Sequence, residues 1–443
     1  MFSNKDLRKL IIPLVIEQLL AVTIGMADTV MVSSCGEAAV SGISLVDSIN
    51  FLLITLFSSL ATGGAVIASQ YIGRGDHKSA SLAAKQLFYA SLALSAVLGV
   101  IAVFFRKPVL NMVFGSIEAD VMAHAQIYFL LSAISYPFLA VYNAGAALFR
   151  SMGDSRTTML ISILMNTINI VGNAILIYGF QMAAAGAATA SLVSRAVGAI
   201  IITVLLLNPR RIIFYDKLHK PEIHLSMLKS ILQIGVPNGL ENSIFQIGKI
   251  LVASIVSGFG TISITANAVA GNLASLQVIP GMALGMAMIT VVGQCIGAKD
   301  YEAVKKYTKK LMLITYGVVW AMTLLMLLFS KHILSVYSLS EETTTMTMEV
   351  FIVHGICAVI VWPLAFALPN ALRAANDVRF TMIVSLLSMW IFRIGFSYVL
   401  AIYFNMGILG TWIAMCIDWF CRGACFVIRF ARGKWKNISF IDN

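Results

Sequence analysis

Long apolar runs separated by short polar connections fill this chain. Read as helices, the runs lie near residues 10–33, 41–68, 84–105, 122–149, 158–179, 184–207, 230–257, 263–292, 310–330, 346–372, 379–403 and 408–429. A helix needs about 20 apolar residues to cross the hydrocarbon core of a bilayer. Irregular backbone cannot face lipid, because its amide groups would go unpaired there. The pattern therefore predicts an all-α integral membrane protein of twelve transmembrane helices.

The pattern also repeats. Pro13 and Glu17 recur as Pro237 and Glu241, and Gln70, Ile72, Gly73 and Asp76 recur as Gln294, Ile296, Gly297 and Asp300, displaced by 224 residues. Arg150, Gly153, Asp154 and Arg156 are echoed 223 residues later by Arg373, Asn376, Asp377 and Arg379, and Met182 and Gly186 at 224 by Met406 and Gly410. Landmarks kept in one order mark a duplication of six helices, a common build of secondary transporters. The expected organisation is an amino-terminal six-helix lobe over 1–207, a basic linker over 208–230 and a carboxyl-terminal six-helix lobe over 231–443. The linker should be amphipathic and at most partly helical. Gly73 and Gly297 should end their helices with positive φ, and Asp76 and Asp300 should cap the helices that follow.

Charge orients the bundle. Lys5, Arg8 and Lys9, Arg74 and Lys78, Arg150 and Arg156, the basic residues of 208–230, and those near 299–310, 373–379 and 432–436 all fall in alternate connections. The opposite connections hold only Arg106, Lys107 and Lys331. The positive-inside rule then puts both termini in the cytoplasm of a multi-pass protein of the cytoplasmic (cell) membrane. Six crossings separate equivalent points, so the repeats are parallel and related by an axis along the membrane normal.

With 59% hydrophobic and 12% charged residues, the chain is not a soluble globular protein. Its net charge of +11 is spread over loops rather than gathered in a solvated groove, which excludes nucleic acid as a partner. The first apolar run is too long for a cleavable leader, so the first helix is expected to stay. The six cysteines lack metal-type spacing and read as small buried hydrophobes. No phosphate-binding Gly-rich loop ending in Lys and Ser or Thr is present, and the six histidines fall mostly in loops, so an enzyme is not expected. The partners implied are the lipid bilayer and small organic substrates, with no cofactor, for a protein acting as a monomer.

An ionised side chain at mid-bilayer costs about 2.5–3.5 kcal/mol on insertion scales, so each one asks for a partner or a function. Glu17 and Asp28 on the first helix are eleven residues apart, which returns them to one face roughly 16 Å apart along the axis. Asp47 and Asn50 of the second helix can approach beside them. Glu17 has a repeat partner, Glu241, which suits an architectural role as well as a functional one. Asp28 has none, since Val252 stands at its offset, and it is the expected coupling-ion residue. Lys249, Arg195 and Arg393 need partners inside the span; Lys249 could answer Glu241 or a substrate carboxylate. Asp418 and Arg422 have the spacing of an intrahelical ion pair. Met282 and Met286, near Pro280, are candidates for a substrate-accepting wall, as flexible thioethers suit many shapes.

The Asp28 to Met31 stretch with Gly36, Glu37 and Ala38, the Gln70 to Gly73 motif and the Arg150 to Arg156 loop with its copy resemble the MATE (multidrug and toxic compound extrusion) transporters over essentially the whole chain. The resemblance implies a cation-coupled antiporter that expels organic, often cationic, compounds through a central cavity between two lobes. It implies an amino-terminal coupling site of Asp28 with Asn143, Asn169, Asn173 and Ser191, taking H+ or Na+, with Asp28 as the metal ligand in the sodium case. Asn173 stands where such sites often have an aspartate. The lack of a carboxylate between His354 and Arg373 makes the arrangement closer to the DinF-like than to the NorM-like branch. The rival reading is a flippase of lipid-linked saccharides or other amphiphiles, which a strongly basic cavity would favour.

Overall fold

The computed structural model describes residues 2–439 apart from 116, 117, 217, 219, 221, 336 and 338, and the side chains of 23–29 also lie outside the described residues. Twelve long helical elements follow one another: α1 Asn4–Ser33, α2 Glu37–Arg74, α3 His77–Phe114, α4 Ala119–Ser151, α5 Ser155–Gly179, α6 Ala183–Leu206, α7 Leu225–Ser257, α8 Thr261–Gly297, α9 Tyr301–Leu328, α10 Glu341–Ile360 with its continuations Pro363–Ala367 and Leu368–Ala374, α11 Val378–Tyr403 and α12 Gly407–Ala431. Among the described residues, α2 to α12 are long and apolar enough to cross a membrane. The 30-residue α1 is about 45 Å long at 1.5 Å per residue, also sufficient. The twelve-helix, two-repeat fold is the one the apolar pattern predicts.

The chain forms two compact units, one over Phe2–Gly239 and one that begins at Leu240. Within the first, α4 packs against α2, α3 and α6, and α1 against α5. Lipid offers no hydrophobic drive between helices, so close packing must come from small residues. A Cβ at Gly42 would come within 2.9 Å of the Ala125 backbone nitrogen, and one at Gly145 within 2.9 Å of Ile202. Within the second unit, α8 packs against α9 and α10, and α12 against α10 and α11, repeating the first pattern.

The paired loops after α2 and α8 correct one expectation. Gly73 and Gly297 stay helical, and the left-handed residues are Gly75 (φ 80°) and Lys299 (φ 56°). The reason is the closing hydrogen bonds: Gly75 and Asp76 N–H donate to Ile72 and Tyr71 carbonyls, as Lys299 and Asp300 donate to Ile296 and Cys295. This cap puts the sharp turn three residues beyond the last helical carbonyl it collects. The aspartates cap as expected, Asp76 accepting from Ser79 N–H at 3.0 Å and Asp300 from Ala303 N–H at 2.9 Å. Donation from Ser79 holds the Asp76 carboxyl below the usual carboxylate range, so this cap survives mild acid.

The linker is at most partly helical, as expected. No helix forms among the described residues of 208–224, and α7 starts at Leu225, inside the expected linker. Its backbone is held instead by α3: Gln86 Nε2 donates to the Glu222 carbonyl at 2.7 Å, and Tyr89 Oη to that of Leu218 at 2.8 Å.

Wide π-helical turns interrupt several helices. Ala174–Gly179 and Tyr398–Tyr403 correspond across the repeats, whereas Met389–Gly395 belongs to the second repeat alone among the described residues. The repeat offset grows from 223 to 224 between the Arg156/Arg379 and Met182/Met406 pairs, the interval that holds this turn. One extra residue absorbed in a helix makes such a turn, which is often found at functional sites.

Lys299 sits in a conformation that costs a non-glycine residue about 1–2 kcal/mol. Lys299→Gly should therefore raise the thermal unfolding midpoint of the purified protein, and Gly75→Ala should lower it, by about 1 kcal/mol each in opposite directions. Equal, unchanged midpoints would show that the strain is not there.

Candidate functional site

The duplicated glutamates are both bound to arginine. In the first unit Arg150, at the end of α4, reaches Glu17 Oε1 of α1 at 3.2 Å, and Thr158 Oγ1 of α5 donates to Oε2 at 2.9 Å. In the second, Arg373 holds Glu241 Oε1 of α7 at 2.7 Å and Ser385 Oγ of α11 donates to the same oxygen at 2.7 Å. Glu17 and Glu241 are 7% and 5% exposed, so these are buried pairs that bind three helices in each unit. Both were candidates for coupling or substrate; in the structure each is paired with an arginine, and Glu241 Oε2 has no hydrogen-bond partner among the described residues. Neither pairing was visible in the sequence, where the partners are 133 and 132 residues apart.

The unduplicated acids are different. Asp47 of α2, whose counterpart is Gly271, is exposed and accepts hydrogen bonds from Tyr128 Oη at 3.0 Å and Asn50 Nδ2 at 3.2 Å. It forms no ion pair among the described residues. Behind it, Tyr136 Oη donates to Asn50 Oδ1 at 2.7 Å and Arg195 Nη1 to Ser135 Oγ at 2.7 Å. Arg195 thus finds a hydroxyl rather than a carboxylate. Asp28 lies on α1, and its side chain is outside the described residues.

Of the expected companions of Asp28, the structure joins three. Asn169 Nδ2 donates to Ser191 Oγ at 3.0 Å, and Asn173 Nδ2 to Asn169 Oδ1 at 3.4 Å. Asn169 and Asn173 are buried where α5 runs into its π turn, and α5 packs on both α1 and α6. Asn143 of α4 is half-buried, and its Nδ2 has no hydrogen-bond partner among the described residues. Amide and hydroxyl oxygens in this strip are hard donors of the kind that small cations take.

In the second unit, α7 presents Glu241, Phe245 and Lys249 at successive four-residue steps, one face of a helix. Lys249 does not answer Glu241, whose carboxylate is taken by Arg373. Its ammonium instead lies 5.3 Å from the Phe245 ring centroid, and the Arg393 and Arg422 guanidiniums lie at 5.3 Å from the same ring. Asp418 forms the expected pair with Arg422 at 2.9 Å and is also approached by Arg393 at 3.8 Å. On α8, Met282 is exposed, Met286 half-buried and Met288 fully buried, and a Cβ at Gly281 would strike the Trp362 ring.

The comparisons with known proteins match this architecture. The MatE family model fits residues 13–175 and again 237–399, the same displacement as the repeat. YisQ, an uncharacterized transporter of Bacillus subtilis, is 26% identical over 429 residues, covering 96% of this chain and 93% of its own. NorM of Thermotoga maritima, a probable multidrug resistance protein, is 26% identical over 442 residues, 98% of this chain and 93% of its own. The fold also superposes, with a TM-score of 0.89 at 21% identity, on a multidrug resistance MATE family transporter of the MOP superfamily in its outward-facing conformation, covering 98% of this chain and 97% of that one.

Removing one member of a buried ion pair strands the other charge, at a cost of about 3–5 kcal/mol. Glu17→Gln and Glu241→Gln should each lower the unfolding midpoint markedly, whereas Asp47→Asn, which keeps an oxygen for Tyr128, should change stability by less than about 1 kcal/mol. Thermal unfolding in detergent checks this; a larger loss for Asp47→Asn would reverse the assignment.

Proposed function

The chain belongs to the MatE family of membrane transporters, and we propose that it is a secondary antiporter exporting small organic compounds in exchange for a proton or a sodium ion. The observation that carries this reading is the sorting of its intramembrane acids. Those present in both repeats, Glu17 and Glu241, are neutralised by arginine. Those present in the first repeat alone are Asp28 and Asp47, opposite Val252 and Gly271. A costly charge kept in one half only is not explained by a scaffold that the other half builds without it.

Asp28 is the acid that takes the coupling ion in this proposal, with the Asn169, Ser191 and Asn173 strip and the side-chain amide of Asn143 supplying further oxygens. Asp47, hydrogen-bonded and with no ion pair among the described residues, is a second acid of the same unit able to feel the exchange. A carboxylate and amides suit either ion, since one takes a proton directly and the other takes oxygen ligands. The ion enters from outside and its binding in the amino-terminal unit favours release of the organic compound; its departure on the inner side resets the protein. One positive charge moving inward through 100 mV supplies about 2.3 kcal/mol, enough for a roughly 50-fold gradient. The basic loops place both termini in the cytoplasm of the cell membrane in this reading.

The test is efflux of a fluorescent organic compound from vesicles containing the native protein under an imposed proton or sodium gradient. One gradient should drive accumulation, and Asp28→Asn should reduce the driven rate at least tenfold while the protein stays folded. Full coupled transport by the variant would remove Asp28 from the mechanism, and transport indifferent to both gradients would remove antiport.

A further inference from the structure

We propose that the second unit holds a carboxylate-binding subsite, built by Lys249, Arg393 and Arg422 around Phe245, which takes an acidic group of the exported compound. The inference rests on the antiport reading and names its substrate class: organic acids and zwitterions rather than simple cations.

The charges do not cancel. Three cationic heads share one aromatic ring, and Arg422 also lies 4.7 Å from the Phe366 ring centroid. The single acid among them, Asp418, is fully buried and fully used: Ser388 Oγ donates to its Oδ1, and Arg422 and Arg393 face its Oδ2. No acid lies within ion-pair distance of Lys249 among the described residues, so two positive charges remain in excess. Attraction to a ring face is worth about 0.5–2 kcal/mol per cation and cannot offset mutual repulsion plus desolvation of three.

Donors are also left over. Arg393 is 9% exposed and Arg422 2%, yet among the described residues Nε of each has no hydrogen-bond partner, nor has the buried Trp419 Nε1, whose ring meets Phe366 at 5.4 Å. A buried N–H without an acceptor asks for an explanation, and these three are linked through two rings, Arg393 and Arg422 at Phe245 and Arg422 and Trp419 at Phe366. A carboxylate would supply acceptors to all of them, and planar guanidinium groups match its geometry. Lys249 is exposed, giving an anion a way in past the buried pair.

The position within the repeat supports a ligand site. At the repeat offset Phe366 stands for Asn143 and Arg393 for Asn169 or Ile170, so the cluster occupies in the second repeat the place that the amide strip occupies in the first. Lys249, Phe245, Asp418 and Arg422 stand opposite Gly25, Ala21, Ser194 and Gly198, none of them charged. Arg393 and Phe366 both lie in π-helical turns, Met389–Gly395 and Pro363–Ala367. The corresponding positions are thus amide or uncharged in one half and largely basic and aromatic in the other.

The experiment compares a rhodamine bearing a free carboxylate with its methyl ester, which lacks the anionic group on the same dye. Equilibrium binding is measured on full-length protein in nanodiscs of neutral lipid, with no ion gradient, so the result is independent of whether coupling occurs. A charge-assisted contact of about 1.5–3 kcal/mol makes the free acid bind at least about tenfold tighter than the ester. Lys249→Gln should abolish the preference and Lys249→Arg should keep it, both with native thermal unfolding profiles or better. Equal affinity of native protein for the two dyes, including no binding of either, overturns the proposal, as does a preference that persists in Lys249→Gln. If phosphatidylglycerol added to the discs displaces the acid dye while neutral lipid does not, and the dye is not exported, the anion is a lipid headgroup and the substrate assignment fails.

Discussion

The bond on which each half of this protein depends is a buried ion pair between a glutamate on its first helix and an arginine at the end of its fourth. Glu17 with Arg150, and Glu241 with Arg373, tie helices that meet nowhere near one another in sequence. A hydroxyl from the fifth helix of each repeat completes the set, Thr158 in one and Ser385 in the other. In lipid, where apolar contact gives helices little reason to prefer one neighbour over another, such a pair selects the neighbour. Because it occurs twice, it also serves as a reference: what differs between the halves is measured against a frame they share.

Against that frame the halves diverge in polarity. The amino-terminal unit adds acids and amides, Asp47 with Tyr128 and Asn50, and Asn169 with Ser191 and Asn173. The carboxyl-terminal unit adds Lys249, Arg393 and Arg422 around Phe245. Even the loops show the frame holding while its residues change. Asp154 is paired with Arg211 and Asp377 with Arg429, so the same loop is braced by basic residues from different places.

Much of this was legible in the chain. Twelve apolar runs, their order and the capping aspartates 76 and 300 follow from length, offset and local chemistry alone. Asp418 and Arg422 could be paired because four residues bring them to one helix face. What could not be read were contacts made by folding. Glu17 and Glu241 looked available because their arginines belong to the ends of helices distant in the chain. The left-handed turns fell at Gly75 and Lys299 rather than at the preceding glycines, since carbonyl closure, not glycine alone, decides where a helix stops. The hold of Gln86 and Tyr89 of α3 on the backbone of the linker was likewise not marked in the sequence. Arg393 joined Asp418 across two helices, a meeting that no spacing rule announces.

The central claim is that the acids kept in the first repeat alone exchange an ion for substrate, while acids kept in both hold the scaffold. Its most direct test is ion release on substrate binding, followed by calorimetry in buffers of different protonation enthalpy and, in parallel, by a sodium-sensitive dye. Substrate should expel one proton or one sodium ion from native protein, less from Asp28→Asn, and an unchanged amount from whatever Glu241→Gln protein remains folded. Release abolished by Glu241→Gln and untouched by Asp28→Asn would contradict the account.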